Sequence, residues 1–361
     1  MSNLKILYVG YFSVPWSADH SRARGFKKLG HRVFKFYYRY NKKLPVILND
    51  YQDKKLNNNK IIIRILKKTD LIFRELIRLI LLKIPQNIPF FQKILEIKKF
   101  YLNGNWKMNK QLIQEIKMNK YDLIFLAKSD TINYHSIKKF NHFSKTWYFI
   151  MDPLKTALEI NADKYASLCT GSSATFSNVT KLFKKRGATA FHITEGYDID
   201  IYKPDIKSSE KDIDVVFAGS KSPKRERFIN FLKKNGISVI CYGSGWKNSS
   251  VYLYELADVY RRSKIVLNFV RDLSGFSDRV LLAMGTGSFL LSEYCHDLKK
   301  FFKKEEHLDW FQDMDNMLEK IKYYIQNPAL RENIAQKGYE FVKNNFSWEK
   351  IMEKIINLIF E

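Results

Sequence analysis

Cysteine is scarce in this sequence. Cys169, Cys241 and Cys295 lie far apart, and none of them has a second cysteine or a histidine at metal-ligand spacing. The spacing therefore suggests neither a disulfide framework nor a zinc site, and it favours a reducing compartment. The N-terminal run MSNLKILYVGYF lacks a small-residue cleavage site. It predicts a buried first strand rather than a signal peptide, so the expected location is the cytoplasm.

Two common nucleotide-binding motifs are also missing. Residues 274–293 read SGFSDRVLLAMGTGSFLLSE and contain several glycines, but they lack the Gly-Lys-Ser/Thr ending of a phosphate loop. The three glycines of the dinucleotide fingerprint, at fixed spacing directly after a strand, are absent from the segment as well. Any phosphate that binds here must therefore be held by another arrangement.

The sequence has no uncharged run of the roughly 20 apolar residues that a membrane span needs. An insertion at 67–100 is nevertheless rich in leucine and isoleucine, interleaved with Arg74, Arg78 and Lys83. This pattern is typical of an interfacial helix on an anionic membrane. It is also compatible with a helix that caps a lobe or lies in a core, and the sequence leaves both interpretations open.

Acidic residues are few for the number of basic ones. The chain has 62 Lys and Arg against 37 Asp and Glu, and residues 1–205 hold 37 of the basic and 16 of the acidic residues. Such a field attracts nucleic acid, acidic headgroups or phosphorylated substrates, although a lysine-rich solvated surface is the alternative. The sequence shows no helix-turn-helix, zinc-finger or RNP-like signature, so nucleic acid ranks last among these partners.

The length of 361 residues and a hydrophobic fraction of 45% fit two domains of about 150–200 residues each. Strand-like runs alternate with amphipathic stretches, which predicts an α/β chain with mostly parallel sheets. The predicted strands include residues 5–12, 121–128, 146–152, 167–173, 189–196 and 212–220. A polar stretch at 203–211 separates the strands and helices before it from a second set after it. We therefore predict domains at 1–205 and 206–345 and a terminal helix at 346–361. Their ligand is expected in a cleft, at the carboxyl ends of the strands.

Several stretches of the second domain match one known family in order and spacing. They are FAGSKSPKRERF (217–228), YGSGW (242–246), SKIVLNFVR (263–271), RVLLAMGTGSFLLSE (279–293) and YIQNPALRENIAQKGYEFVKNNFSW (324–348). Weaker matches in the first domain are VGYF (9–12), KSD (128–130) and TEGYDIDIYKPD (194–205). Together they resemble the CgeB-like branch of the group 1 glycosyltransferases, which have the GT-B fold.

The resemblance implies two facing Rossmann-like doubly wound domains with a cleft between them and a last helix that crosses back to the first domain. It implies transfer of a sugar from a nucleotide-sugar, which is a substrate and not a cofactor. No cofactor is expected, and no Asp-x-Asp metal site is expected in this fold. The acceptor is expected to be a cell-surface glycan, a lipid-linked molecule or a protein, with peripheral contact of the basic first domain with anionic membrane.

The donor side has the more informative candidates. A departing nucleoside diphosphate develops negative charge, so a site without a metal needs fixed cations and backbone N–H donors aimed at it. Lys221 and Arg225 lie in the turn after a predicted strand, near the start of the next helix, and Asn268 and Arg271 end another strand. The resemblance adds a loop whose N–H groups contact the donor phosphates. The candidate donor-binding residues are Gly219, Lys221, Arg225, Gly243, Trp246, Asn268, Arg271, Ser274, Gly275, Phe276 and Arg279. The alternative for each of these residues is that it faces solvent or packs in the structure without contacting a ligand.

One departure from the family concerns two glutamates. Related group 1 transferases carry an E-x7-E arrangement that contacts the transferred sugar and the nucleotide ribose. The resemblance places Ser274 and Leu282 at these positions. Leucine accepts no hydrogen bond, so the ribose must be held otherwise, reach water or differ chemically. Whether catalysis survives is open at this point, and the alternative function is a non-catalytic GT-B descendant that binds a glycan or a protein.

The acceptor side offers polar residues at the carboxyl ends of predicted strands. His20 follows the first strand, Lys128 and Asp130 follow the strand at 121–128, and Asp152 ends the strand at 146–152. An inverting enzyme needs a general base for the acceptor hydroxyl, so Asp152, His20 and Asp130 are the candidate catalytic residues. Asp152 has an alternative role as the cap of the following helix.

Overall fold

The computed structural model describes residues 3–38, 47–48, 105–205 and 211–361, which form two β-sheets with their helices. We call the part of the chain around the first sheet, up to residue 205, the first lobe. The second lobe is the part around the second sheet, from 211 to 345. The insertion predicted at 67–100 lies outside the described residues, so its interfacial or packed character stays a prediction.

The first sheet has the order β3-β2-β1-β4-β5-β6-β7, and all its strand pairs are parallel except β2 with β3. Its strands are β1 (Lys5–Gly10), β2 (Arg32–Tyr37), β3 (Ile47–Leu48), β4 (Leu123–Ala127), β5 (Lys145–Ile150), β6 (Gly171–Ala174) and β7 (Ala190–His192). Ile6 and Tyr8 of β1 belong to one hydrophobic cluster, and Leu7 and Val9 belong to another. Because β1 is buried on both faces, it is a continuous apolar run in the sequence.

Helices connect these strands. They are α1 (Ala18–Lys28), α2 (Asn105–Asn119), α3 (Tyr134–Phe140), α4 (Leu154–Glu159), α5 (Ala162–Leu168) and α6 (Ser177–Lys185). Ser17 caps α1 by accepting the N–H of Asp19, which satisfies one donor of the first turn. The strand predicted over 167–173 is wrong in its first half, because the alanine-containing segment ADKYASL forms α5 and β6 starts only at Gly171.

The second sheet is entirely parallel and has the order β12-β11-β10-β8-β9. Its strands are β8 (Ile213–Ala218), β9 (Val239–Tyr242), β10 (Ser263–Asn268), β11 (Leu290–Glu293) and β12 (Asp309–Phe311). The helices are α7 (Pro223–Lys234), α8 (Leu253–Arg261), α9 (Arg279–Gly285), α10 (His296–Phe301), α11 (Met314–Gln326), α12 (Pro328–Asn345) and α13 (Trp348–Phe360). The three-residue strand β12 was not predicted, because so short a run shows no periodicity.

Each strand order contains one point where the direction of winding reverses. In the first sheet it lies between β1 and β4, and in the second it lies between β8 and β10. Open α/β sheets bind ligands in the crevice outside the carboxyl ends of the strands at such a point. The topology therefore directs attention to the loops that follow these four strands.

The last helix joins the two lobes. A Cβ on Gly25 of α1 would lie 2.9 Å from backbone atoms of Trp348, so only glycine lets α13 approach α1 this closely. Lys28 pairs with Glu349 at 2.7 Å, and Tyr197 forms an isolated parallel bridge with Ser347. One hydrophobic cluster includes side chains from both lobes and from α13. None of the helices in the described ranges is long and apolar enough to cross a membrane.

We predict that Gly25→Val destabilises the protein by about 1–3 kcal/mol, the usual cost of overpacking a well-packed contact. The added methyl groups would meet the backbone of Trp348, which has no room to yield. Urea denaturation measures the effect, with Lys354→Ala on the exposed side of α13 as control, expected within about 0.5 kcal/mol of wild type. Equal stabilities of the two variants would show that α13 does not need this close approach.

Candidate functional site

The loops after β8 and β9 are bound to each other by hydrogen bonds. The Gly219 N–H donates to the Tyr242 carbonyl and the Lys221 N–H to the Ser244 carbonyl, each over 2.8 Å. The indole Nε1 of Trp246 donates to the Gly219 carbonyl, also over 2.8 Å. These bonds fix the carboxyl edge of the second sheet. The Trp246 side chain stabilises the loops at this edge through its hydrogen bond to Gly219.

Arg279, at the start of α9, is held against the ends of two strands. Its Nε donates to the Ala218 carbonyl over 2.6 Å, and its Nη1 donates to Asn268 Oδ1 over 2.8 Å and to Ser277 Oγ over 3.1 Å. Asn268 is fully buried and also donates to Ser292. The amide therefore orients the guanidinium of Arg279 at the point where the winding of the second sheet reverses.

Three arginines meet at this place, and we call them the arginine cluster (Arg225, Arg271 and Arg279). The guanidinium groups of Arg225 and Arg279 lie 5.2 and 5.3 Å from the centroid of the Phe217 ring. Burial, with the positive charges of Arg279 and Arg271, lowers the pKa of Arg225 to about 10. Within the described ranges no carboxylate forms an ion pair with any of the three, so the cluster is suited to a multiply charged anion.

Lys221 in the loop after β8 and Lys224 in the first turn of α7 each pair with a carboxylate. Lys221 pairs with Glu226 at 2.7 Å and lies over the Trp246 ring, and Lys224 pairs with Glu293 at 2.6 Å. The structure therefore brings Arg225, Arg271, Arg279 and Asn268 together. Lys221 instead forms its ion pair with Glu226.

The loop that contains the predicted donor residues Ser274, Gly275 and Phe276 is docked on the first lobe. The Ser274 hydroxyl and N–H both donate to Asp272 Oδ1, and the Ser274 carbonyl accepts from Ser177 Oγ over 3.0 Å. A Cβ on Gly275 would lie 2.4 Å from the Phe176 ring, so the glycine permits this close contact between the lobes. Phe276 is buried and packs against aromatic rings of the second lobe.

A cavity of about 290 Å³ opens beside the arginine cluster, between the lobes. Gly219, Gly243 and Leu282 form part of its wall, together with one acidic residue, Asp278, and one basic residue, Arg279. The cavity has five aromatic residues, namely Trp16, Tyr202, Tyr242, Tyr252 and Tyr260. The wall therefore combines aromatic rings with polar and charged groups, which can orient a small molecule.

The candidate catalytic residues of the first lobe lie at the same edge of its sheet but in different environments. Asp152 pairs with Lys128 at 2.8 Å. Asp130 has a buried Oδ1 that finds no hydrogen-bond partner in the described part of the chain, and its backbone carbonyl accepts from the Tyr165 hydroxyl. The ring of His20 contacts the Phe12 carbonyl at 3.3 Å, and burial together with Lys35 lowers its pKa. The lowered pKa favours the neutral imidazole of His20.

Sequence analysis missed a buried charge network beneath the cleft. Arg22 donates to Asp19 over 2.8 Å and to Glu195 over 2.5 Å, and Asp19 also accepts from the Tyr8 hydroxyl over 2.7 Å. Burial, with additional repulsion from Asp278, raises the pKa of Glu195 to about 7, although Arg22 opposes the shift. The only signal in the sequence was the position of Glu195 within TEGYDIDIYKPD.

Asp278, Trp16 and Tyr252 were also missed as lining residues of the cavity, because they lie in loops or at a helix start without a periodic pattern. In the described ranges no group of three or more His, Cys, Asp or Glu residues is placed to hold a metal ion.

The second lobe matches a known family. Residues 224–357 fit the model described as glycosyl transferase-like, and no curated protein matches the chain. Among solved structures, Anabaena HepE in complex with UDP-glucose has 12% sequence identity and a TM-score of 0.64, with 98% of this chain and 99% of that chain covered. Sucrose-phosphate synthase from Thermosynechococcus elongatus has 12% identity and a TM-score of 0.63, over 98% and 97%. A glycosyltransferase from Rickettsia africae has 12% identity and a TM-score of 0.55, over 99% and 98%. The predicted GT-B fold is confirmed.

We predict that Glu195 makes the protein less stable as the pH rises. The folded state keeps the Glu195 proton up to a pKa of about 7, whereas the unfolded chain loses it near 4.5. Between these values the folded state binds more protons, so the free energy of unfolding falls with rising pH. Denaturation of wild type and Glu195→Gln between pH 4.5 and 8 should show a smaller fall in the variant. Glu255→Gln, an exposed control, should retain the wild-type slope. If the free energy of unfolding of Glu195→Gln fell with pH as steeply as that of wild type, the raised pKa of Glu195 would be contradicted.

Proposed function

We propose that this protein is a glycosyltransferase of the CgeB-like branch that transfers a sugar from a nucleoside-diphosphate sugar to an acceptor. The observation that carries the proposal is the arginine cluster, three cations without a carboxylate partner among the described residues, beside an aromatic cavity. A nucleoside diphosphate fits both features, because its phosphates carry the negative charge that the arginine cluster would bind and its base is a planar ring that the aromatic cavity would hold. The match of residues 224–357 to a glycosyl transferase-like family supports the same reading.

The arginine cluster provides the electrostatic part of the mechanism. When the bond between sugar and diphosphate breaks, negative charge grows on the departing phosphate oxygens. Cations already fixed at that position stabilise this charge without reorganising. Asn268 fixes Arg279, while Arg225 donates to the Ser220 carbonyl over 2.7 Å. The proposed transfer therefore depends on arginines and needs no cofactor.

Asp278 is proposed to take the place of the missing ribose glutamate. Leu282 lines the cavity but accepts no hydrogen bond, and Asp278 lies one helical turn before it on the same wall. The side chain of Asp278 makes no cap hydrogen bond, and no ion pair joins it to another described residue. Its carboxylate is therefore available to the two ribose hydroxyls.

The first lobe is proposed to hold the acceptor, which is a cell-surface glycan, a lipid-linked molecule or a protein. Asp152, His20 and Asp130 remain the proposed groups for proton transfer, because they follow β5, β1 and β4 at the carboxyl edge of the first sheet. The proposal includes a cytoplasmic location, since all three cysteines are free and buried. Contact of the basic first lobe with anionic membrane belongs to the same proposal.

A second candidate is a GT-B protein that binds a glycan or a protein and catalyses nothing. The observation that favours it is the state of Ser274, whose hydroxyl donates to Asp272 and not into the cleft. Binding of a nucleotide-sugar without release of its nucleotide, for every acceptor class tested, would favour this candidate.

We predict that a nucleoside diphosphate raises the thermal unfolding midpoint, because it binds the folded state alone. UDP, GDP, CDP, CMP, ADP and dTDP form the screen. Arg225→Ala and Arg279→Ala should each weaken binding of the best nucleotide by about 1.5–3 kcal/mol, the scale for hydrogen bonds to charged groups. Lys234→Ala, at the far exposed end of α7, is the matched control and should bind as wild type does. Wild-type affinity in both arginine variants would remove the basis of the proposal.

We predict that Asp278→Asn reduces the preference for ribose over deoxyribose. Wild type should bind UDP, or the best nucleotide of the screen, more tightly than its 2′-deoxy form by about 10-fold or more. The variant should bind the two forms almost equally, and Leu282→Glu added to it should restore part of the preference. Calorimetric titration measures the affinity of each of the three proteins for both nucleotide forms, with the exposed Asp258→Asn as control. A full ribose preference in Asp278→Asn would exclude this role.

A further inference from the structure

An aromatic pair spans the two lobes at the cavity. Trp16 lies in the loop between β1 and α1 of the first lobe, and Tyr252 immediately precedes α8 of the second. Their rings are nearly parallel, at an angle of 16° with 4.8 Å between centroids. We call this pair the aromatic clasp. Both residues are unusually accessible for such large rings, at 46% and 42% exposure, and both line the cavity.

The aromatic clasp is not what holds the lobes together. Buried contacts do this elsewhere, where Gly25 meets Trp348 and where Gly275 meets Phe176. An ion pair between Lys28 and Glu349 adds to them. Since a half-exposed pair of rings keeps much of its apolar surface in water, it adds little to an interface that already has a continuous core. The exposed ring faces are therefore available to a ligand.

Both rings of the aromatic clasp are held in place by their backbones. Leu253, directly after Tyr252, has a φ of +51°, an unfavourable conformation for leucine that is found mainly where function demands it. On the other side, the Ser17 N–H donates to the Val14 carbonyl over 3.1 Å, and its hydroxyl donates to the Tyr11 carbonyl over 2.5 Å. The loop that carries Trp16 is thus fixed at its end.

We propose that the aromatic clasp closes over the base of a bound nucleoside diphosphate, so that Trp16 of the first lobe is part of the donor site. This inference rests on the proposed function and deepens it. Arg279 lies in the same cavity and accounts for the phosphates, while Trp16 and Tyr252 offer flat apolar faces to a planar ring. Stacking tolerates every base, so the clasp supplies affinity rather than base identity. Donor binding then favours closure of the two lobes.

The experiment compares a nucleotide with pyrophosphate, which has the charge but no base. Calorimetric titrations of UDP, GDP, CDP and ADP, and of pyrophosphate, are made with wild type, Trp16→Ala and Trp16→Phe. Trp16→Ala should weaken nucleotide binding by about 5- to 150-fold, the range for loss of one base stack, and leave pyrophosphate binding unchanged. Trp16→Phe should bind nucleotide nearly as wild type does. It should also lose the quenching of tryptophan fluorescence that the nucleotide causes in wild type.

Trp106→Ala is the matched control, because Trp106 is 40% exposed and lies in α2 of the first lobe. It should keep wild-type affinity for every ligand. Nucleotide affinity unchanged in Trp16→Ala would overturn the inference and leave the proposed function intact. An equal loss for nucleotide and pyrophosphate would overturn it too, since Trp16 would then act through the arrangement of the lobes. Absence of nucleotide binding to wild type would contradict the proposed function itself, and this inference with it.

Discussion

The buried guanidinium of Arg22 connects the parts of the molecule on which the cleft depends. It pairs with Asp19 on its own helix and with Glu195 at the passage between the lobes, and its centre lies 5.0 Å from the ring centroid of Trp348 in the last helix. A buried charge is tolerable only when such partners surround it, because removing one partner leaves an uncompensated charge. The positions of α1, the passage and α13 are therefore mutually dependent. Since the cavity has walls from both lobes, its shape depends on the same contacts.

The elements that the sequence predicted well are those whose periodicity or burial is simple. The central strands β1, β4, β5 and β8 are buried on both faces, so each is a continuous apolar run that stands out from its surroundings. The error at 167–173 and the omission of β12 concern segments too short to show a period. Among the candidate site residues, Arg225 and Arg271 were named because they follow strands, and Arg279 because it starts a helix. Trp16, Tyr252, Asp278 and Glu195 were not, because their importance comes from contacts between distant segments.

The two lobes differ in how their positive charge is arranged. The first lobe contributes most of the excess positive charge in the sequence, yet the cations that converge without carboxylate partners lie in the second lobe. Long-range attraction depends on the total field and decreases within about 8–10 Å at physiological salt, whereas local binding depends on fixed groups that point at the same anion. The net charge of the chain is therefore a poor guide to the position of the proposed anion site, and the pairing state of each described cation is a better one. Lys221 illustrates this point. Lys221 lies in the same loop as Gly219, which lines the cavity, but its charge is paired with Glu226.

The two missing glutamates affect the site unequally. Loss of the ribose glutamate at Leu282 removes a pair of hydrogen bonds, and the cavity offers both a nearby carboxylate, Asp278, and apolar aromatic surface in compensation. Loss of the first glutamate, at Ser274, is different, because the serine hydroxyl is bound to Asp272 and the loop is docked against Phe176. The Ser274 side chain is thereby not left to contact the transferred sugar. In the proposed function groups of the first lobe supply that contact, so the orientation of the sugar depends on both lobes.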